Sequence, residues 1–234
     1  MSGVHDVIQN LRLINALGIE TDESEIPRFP LTDADRARAT QILADVDLPA
    51  DASFIAIHAG SGKTPYTISK RWPTDNYAEL VRRLRSEFPH ELLILEGPDE
   101  RDIAKEIFIR AGEPAGVHVV QLKGPLGEAA ALLERAALYA GSDSGLAHLA
   151  AAVGNRAVTI FAPADPDRVC PYGSRDLVVK PDKPCSPCSM YPMECTYPKV
   201  KCTPPFCISE VTLDQVMQKV RSALNLIPSQ SVRG

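Results

Sequence analysis

Gly141-Ser142-Asp143-Ser144-Gly145-Leu146-Ala147-His148 stands between two apolar runs, residues 136–140 and 146–153. An apolar run that enters a group of small residues, followed by a second run that leaves it, predicts a strand, a tight turn and the first turn of a helix. The turn offers backbone N–H groups, one carboxylate and one imidazole. Amides without intrahelical partners at a helix N-terminus suit a phosphate, and a carboxylate accepts hydrogen bonds from sugar hydroxyls. A turn that holds both points to a nucleotide-sugar site.

The rest of the chain repeats this rhythm. Strands are expected at 53–58, 91–95, 117–120, 138–141, 157–161 and 176–179. Helices are expected at 75–88, 100–110, 126–135 and 212–224. Strands alternating with helices imply a Rossmann-like α/β fold, a mostly parallel sheet covered on both faces. Ligands of such sheets bind beyond the carboxyl ends of the strands, so the loops after His58, Leu95 and Gly141 are the informative ones. Upstream, Val4, Val7, Ile8, Leu11, Ile14 and Leu17 keep helical spacing up to Gly18. Residues 19–31 read as a linker. Thr32 and Asp35 form a capping box for a helix reaching about Asp45. The tail 226–234 reads as frayed.

Composition bounds the function. The chain has 234 residues, 44% of them apolar, enough for a full core. Its formal net charge of −5 argues against a nucleic-acid binder, which needs a basic face. No signal peptide and no apolar run of membrane-spanning length is read, so a cytoplasmic protein is expected.

The loop after His58 contains Ala59-Gly60-Ser61-Gly62-Lys63 and then Ser69-Lys70-Arg71-Trp72-Pro73. Small residues let backbone approach an anion, and the cations neutralise it. The spacing is not that of a Walker A loop. The loop after Leu95 reads Glu96-Gly97-Pro98-Asp99-Glu100. One of its acids serves either a helix N-terminus or a ribose diol. In the third loop Ser142, Asp143 or Ser144 is expected to cap the next helix.

Taken in order, IHAGSG (57–62) with KRWP (70–73), GPDE (97–100), GSDSGLAHLAAAVG (141–154) and FAPADP (161–166) resemble the C-terminal half of glycosyltransferase family 9, the lipopolysaccharide heptosyltransferases. HDVIQNLRLINALGIE (5–20) resembles the helix joining that family's two domains. The resemblance implies a division into an interdomain helix and linker (1–50), a Rossmann-like nucleotide-sugar domain of a GT-B fold (51–183), a Cys-rich segment (184–208) and a C-terminal helix and tail (209–234). It implies that Ser61 and Lys70 touch the diphosphate, that Glu100 holds the ribose and that Asp143 binds sugar hydroxyls. Ser144, Gly145 and His148 would line the diphosphate and sugar.

The implied reaction is inverting, metal-independent transfer of a heptose-type sugar from an ADP-heptose-like donor to a lipid-anchored saccharide acceptor. That would take place at the inner face of a bacterial membrane. The family often has proline where Ala59 stands. The resemblance starts at residue 5, so an N-terminal domain carrying the acceptor site and the general base is expected to be missing. No catalytic base is identified here, and the chain alone is expected to transfer little. A non-catalytic nucleotide-sugar-binding remnant or subunit, and a metal-stabilised interaction domain, are the other readings.

Five of the six cysteines fall between Cys185 and Cys207. Cys185, Cys188, Cys195 and Cys202 could hold a structural zinc. A proline-rich loop with free or oxidised thiols fits equally well, and the spacing matches no common iron–sulfur pattern. Cys170 reads as an ordinary thiol.

Overall fold

The computed structural model describes residues 3–62, 64–98, 100, 102–183, 186–187 and 207–225. Among these, the strands are β1 (Phe54–His58), β2 (Glu91–Glu96), β3 (Val117–Gln121), β4 (Leu138–Ser142), β5 (Ala157–Ile160) and β6 (Val178–Val179). They form one sheet in the order β3-β2-β1-β4-β5-β6, and every pairing is parallel. The helices are α1 (Asp6–Ala16), α2 (Asp33–Asp45), α3 (Pro65–Ile68), α4 (Thr74–Glu87), α5 (Ile103–Arg110), α6 (Leu126–Arg135), α7 (Gly145–Ala152), α8 (Pro166–Val169) and α9 (Leu213–Asn225). This is the doubly wound, Rossmann-like arrangement. The strand order reverses between β1 and β4, where such sheets open a crevice. His58 and Gly141 are register partners, so both strands reach that crevice together.

Strand alternation decides which helices cover which face. Ile55, Ile57, Leu92 and Ile94 pack with Tyr77, Leu80, Val81 and Leu84 of α4, Ala104 and Ile107 of α5, and Val216, Met217 and Val220 of α9. Phe54, Ala56, Leu93, Leu95 and Tyr139 pack on the other side with Ala39 and Leu43 of α2, Leu132 and Leu133 of α6, and Ala147 and Ala150 of α7. Both α2 and α9 are thus built into the core of the sheet. The capping box of α2 is present, with Asp35 N–H donating to Thr32 Oγ1 and Thr32 N–H donating back to Asp35.

Two features differ from the pattern in the sequence. Residues 175–177 form a 3₁₀ turn rather than strand, leaving β6 only two residues long. Helix α5 starts at Ile103, so Glu100 stays in the loop. Helix α1 stands where expected and buries none of its residues; Leu13 within it is 66% exposed and Leu17, its C-cap, 80%. Its N-terminal end is held by polar groups instead. Arg168 donates to Asp6, and His5 Nε2 meets the Cys170 carbonyl at 2.8 Å while its ring stacks edge-on against Tyr172. The tail 226–234 lies outside the described residues.

Candidate functional site

Lys70 and Trp72 tie the loop after β1 to other parts of the fold, and Arg71 braces the loop itself. Trp72 is fully buried, donates its indole N–H to the Val211 carbonyl (2.9 Å) and packs edge-on against Tyr77. Its burial is the apolar anchor. Arg71 reaches back along the loop and donates to Ser61 Oγ (3.1 Å) and the Ser61 carbonyl (2.7 Å). Ser61 in turn donates its hydroxyl to the Thr67 carbonyl at 2.6 Å. The Ser61 side chain is therefore engaged in shaping its own loop. Pro73 stands at the N-cap of α4, where its missing N–H costs little. Lys70 Nζ lies 2.6 Å from Asp143 Oδ2, joining this loop to the one after β4.

The loop after β2 separates the roles of its two acids. Glu96, 2% exposed, accepts from the Ala104 N–H at 3.1 Å and so caps α5 from the strand end. Glu100 turns the other way. Its carboxylate accepts from His58 Nε2 at 2.8 and 2.9 Å and from the Gly97 N–H at 2.7 Å. Burial pushes the Glu100 carboxyl up, but the His58 and Gly97 hydrogen bonds and the Arg71 charge outweigh it, so the group is held below its ordinary value. A Cβ on Gly60 would fall 1.7 Å from Glu100 Oε1. The glycine is the room in which this carboxylate sits.

The loop after β4 carries a buried polar cluster. Ser142 Oγ donates to the Ala59 carbonyl (3.1 Å) and meets the Tyr77 hydroxyl at 2.9 Å. The Tyr139 hydroxyl lies 3.3 Å from Ser144 Oγ. Burial pushes both phenols well up, so they stay protonated and act as neutral hydrogen-bonding groups. Ser144 is the N-cap of α7 yet makes no side-chain capping bond. Its hydroxyl goes to His58 Nδ1 at 3.1 Å instead. The first-turn amides of α7 are left without a side-chain cap, the state in which a helix N-terminus accepts an anion.

A cleft of about 340 Å³ opens at this rim. Ser61, Glu100, Ser144 and Gly145 line it together, with His58 at its floor. Lys70, Asp143 and His148 are not on its wall. They form a second group beside it, in which Asp143 and Lys70 pair and both act electrostatically on His148. Partial desolvation lowers the His148 pKa, the Asp143 charge opposes this, and His5 and Lys70 add to it. His148 is then neutral at pH 7. Its protonation below pH 6.5 weakens the fold, because the unfolded chain takes up that proton first. The melting temperature of the wild type should therefore fall more between pH 7.5 and 5 than that of His148→Gln; parallel curves would contradict this placement.

The opposite wall of the cleft was missed in the sequence. Leu122, Pro125, Leu126 and Ala129, from the loop after β3 and the start of α6, supply its apolar side. Gly124-Pro125 after a strand was the available signal. The sequence motif IHAGSG contains His58 but assigns it no role. Cys185, Cys188, Cys195 and Cys202 lie outside the described residues. Among the described residues no group of three His, Cys, Asp or Glu could hold a metal ion. Burial raises the thiol pKa of Cys170, which lowers its thiolate fraction.

Residues 2–200 match the model of glycosyltransferase family 9 (heptosyltransferase). Lipopolysaccharide heptosyltransferase 1 of Escherichia coli (strain K12) is 28% identical over 151 residues, 64% of this chain and 44% of that protein. The chain spans about half the length of the curated relatives it matches. Among solved structures, a family 9 glycosyl transferase from Veillonella parvula DSM 2008 aligns with a TM-score of 0.75 at 19% identity, over 96% of this chain and 61% of that one. An E. coli heptosyltransferase solved with ADP aligns with a TM-score of 0.60 at 22% identity, over 95% and 58%. At these identities the likeness is one of fold, the Rossmann-like half of a GT-B architecture.

Proposed function

We propose, because the chain belongs to glycosyltransferase family 9, that the rim between β1 and β4 binds a nucleotide diphosphate sugar of the ADP-heptose type as the donor of an inverting transfer. The observation that supports this best is the convergence of Ser61, Glu100, Ser144 and Gly145, from three separate strand ends, on one cleft. In this reading the base rests against the apolar wall made by Leu122, Pro125 and Leu126. Glu100, ionised and oriented, accepts the ribose hydroxyls. The uncapped amides of α7 at Gly145 face the diphosphate, and Lys70 lies within reach of its outer end.

Transfer creates negative charge on the departing diphosphate. Amides fixed at a helix N-terminus and one ammonium stabilise that charge without reorganisation. The Lys70–Asp143 pair holds the ammonium and carboxylate ready for phosphate and sugar hydroxyl respectively. The attacking hydroxyl also needs a base. Both rim carboxylates are engaged, Glu100 by His58 and Gly97 and Asp143 by Lys70. In this reading they are donor ligands, and the base and the lipid-anchored saccharide acceptor meet the donor from outside the rim. No metal is needed for the leaving group. No helix among the described residues is long and apolar enough to cross a membrane. We place the protein in the cytoplasm, meeting its acceptor at the membrane's inner face.

Calorimetric titration with ADP tests the reading. Saturable binding of one ADP per chain, with no need for a divalent cation, is the expected result. No heat and no rise in melting temperature at millimolar ADP would contradict it.

A further inference from the structure

His58 is 3% exposed and lies at the last position of β1. Strand parity puts it on the same side as Phe54 and Ala56, toward α6 and α7. A buried histidine there could be only a satisfied core residue. Its partners argue for more. Both lie on the cleft wall and come from two different loops, Glu100 after β2 and Ser144 after β4. The site was built around the contacts as well: Gly60 leaves the space filled by Glu100, and a Cβ on Gly141 would meet the His58 carbonyl at 2.3 Å and the Tyr139 hydroxyl at 2.8 Å.

The proton between His58 and Glu100 follows from chemistry. An ionised carboxylate only accepts, so His58 Nε2 carries the hydrogen given to Glu100. In the neutral ring Nδ1 is then an acceptor, and the Ser144 hydroxyl donates into it. One imidazole thus fixes the rotamer of the carboxylate and draws the N-cap hydroxyl away from α7.

We propose that His58 is a positioning residue of the donor site: through Nε2 it aims the Glu100 carboxylate at the ribose diol, and through Nδ1 it holds Ser144 off the α7 amides that face the diphosphate. The proposal rests on the donor-binding reading above and adds how ribose selectivity arises. His58 itself touches no part of the donor in this account.

The two ring nitrogens can be tested separately. The amide nitrogen of glutamine reaches the Nε2 position and still donates to Glu100. Asparagine reaches only the Nδ1 position, where its oxygen still accepts from Ser144. Affinities for ADP, 2′-deoxy-ADP and inorganic pyrophosphate are measured for the wild type, His58→Asn and His58→Gln, each with its melting temperature. The wild type should prefer ADP over 2′-deoxy-ADP about tenfold, the worth of one hydrogen bond to a charged group. His58→Asn should bring that ratio to within twofold of unity while pyrophosphate affinity stays within threefold. His58→Gln should retain the preference.

A folded His58→Asn protein with the full preference overturns the inference, as does equal loss of ADP and pyrophosphate in both variants. If the asparagine variant does not fold, loss of the preference in His58→Gln overturns it alone. A wild type that binds ADP without preferring the ribose would instead remove Glu100 from the ribose, and this proposal with it.

Discussion

Replacing Glu100 by alanine should weaken ADP binding by about a hundredfold or more and leave pyrophosphate binding nearly unchanged. Two ribose hydroxyls lose a charged acceptor, and hydrogen bonds to charged groups are worth about 1.5–3 kcal/mol each. The diphosphate contacts assigned to α7 and Lys70 do not pass through this side chain. The variant should also lose stability, because the buried His58 Nε2–H and the Gly97 N–H give up their acceptor. A second signature separates charge from shape. The Glu100 pKa is held below the unfolded value near 4.5, so its stabilising effect is complete above that value and disappears as the pH falls through the lower, folded value. Glu100→Gln should therefore flatten the acid limb of the melting-temperature profile below pH 4.5. An unchanged ADP affinity in Glu100→Ala would show that the carboxylate is structural only.

Gly141→Ala should destabilise the protein by about 3 kcal/mol, the upper part of the usual cost of overpacking. The added methyl would lie 2.3 Å from the backbone carbonyl of His58, its register partner, and 2.8 Å from the Tyr139 hydroxyl. A flexible side chain could swing away, but a strand carbonyl can move only by parting β1 from β4. Those two strands carry the rim, so the surviving folded fraction should also bind ADP more weakly. By contrast, Gly145→Ala places its methyl in open space with nothing within 4 Å and should cost little stability. Chemical denaturation of the two variants side by side checks the contrast; equal midpoints would contradict the clearance argument.

Much of the fold could be read because periodicity reports burial one residue at a time. The α4 face follows from that rule, while the Thr32–Asp35 box follows from capping chemistry and β1, buried at every position, from its short apolar run. What it does not report is which partner a polar group chooses. Nothing local to Glu96 or Glu100 says which of them caps α5 and which leaves for His58. His58 meets its two partners across 42 and 86 positions of chain, and the Lys70–Asp143 pair closes over a similar span. Ser144 looks like a helix cap in sequence and is the N-cap in space, but its hydroxyl is drawn elsewhere by a tertiary contact. Helix α1 shows the complementary failure. Its apolar spacing marks one face, yet among the described residues none of that face is fully buried, and Ile14 and Leu17 are exposed. The apolar wall of the cleft, made by Leu122, Pro125, Leu126 and Ala129, carries no acid, cation or hydroxyl, so its residue types do not mark a ligand site in sequence.

Hydrogen exchange with and without saturating ADP tests the central assignment most directly. Amides at 58–62, 97–100 and 142–148 should slow together on binding, while those of α2 and α9 stay unchanged. Binding that protects any of these three loops without the others, or that protects a different face of the sheet, would contradict a donor site at the β1–β4 rim.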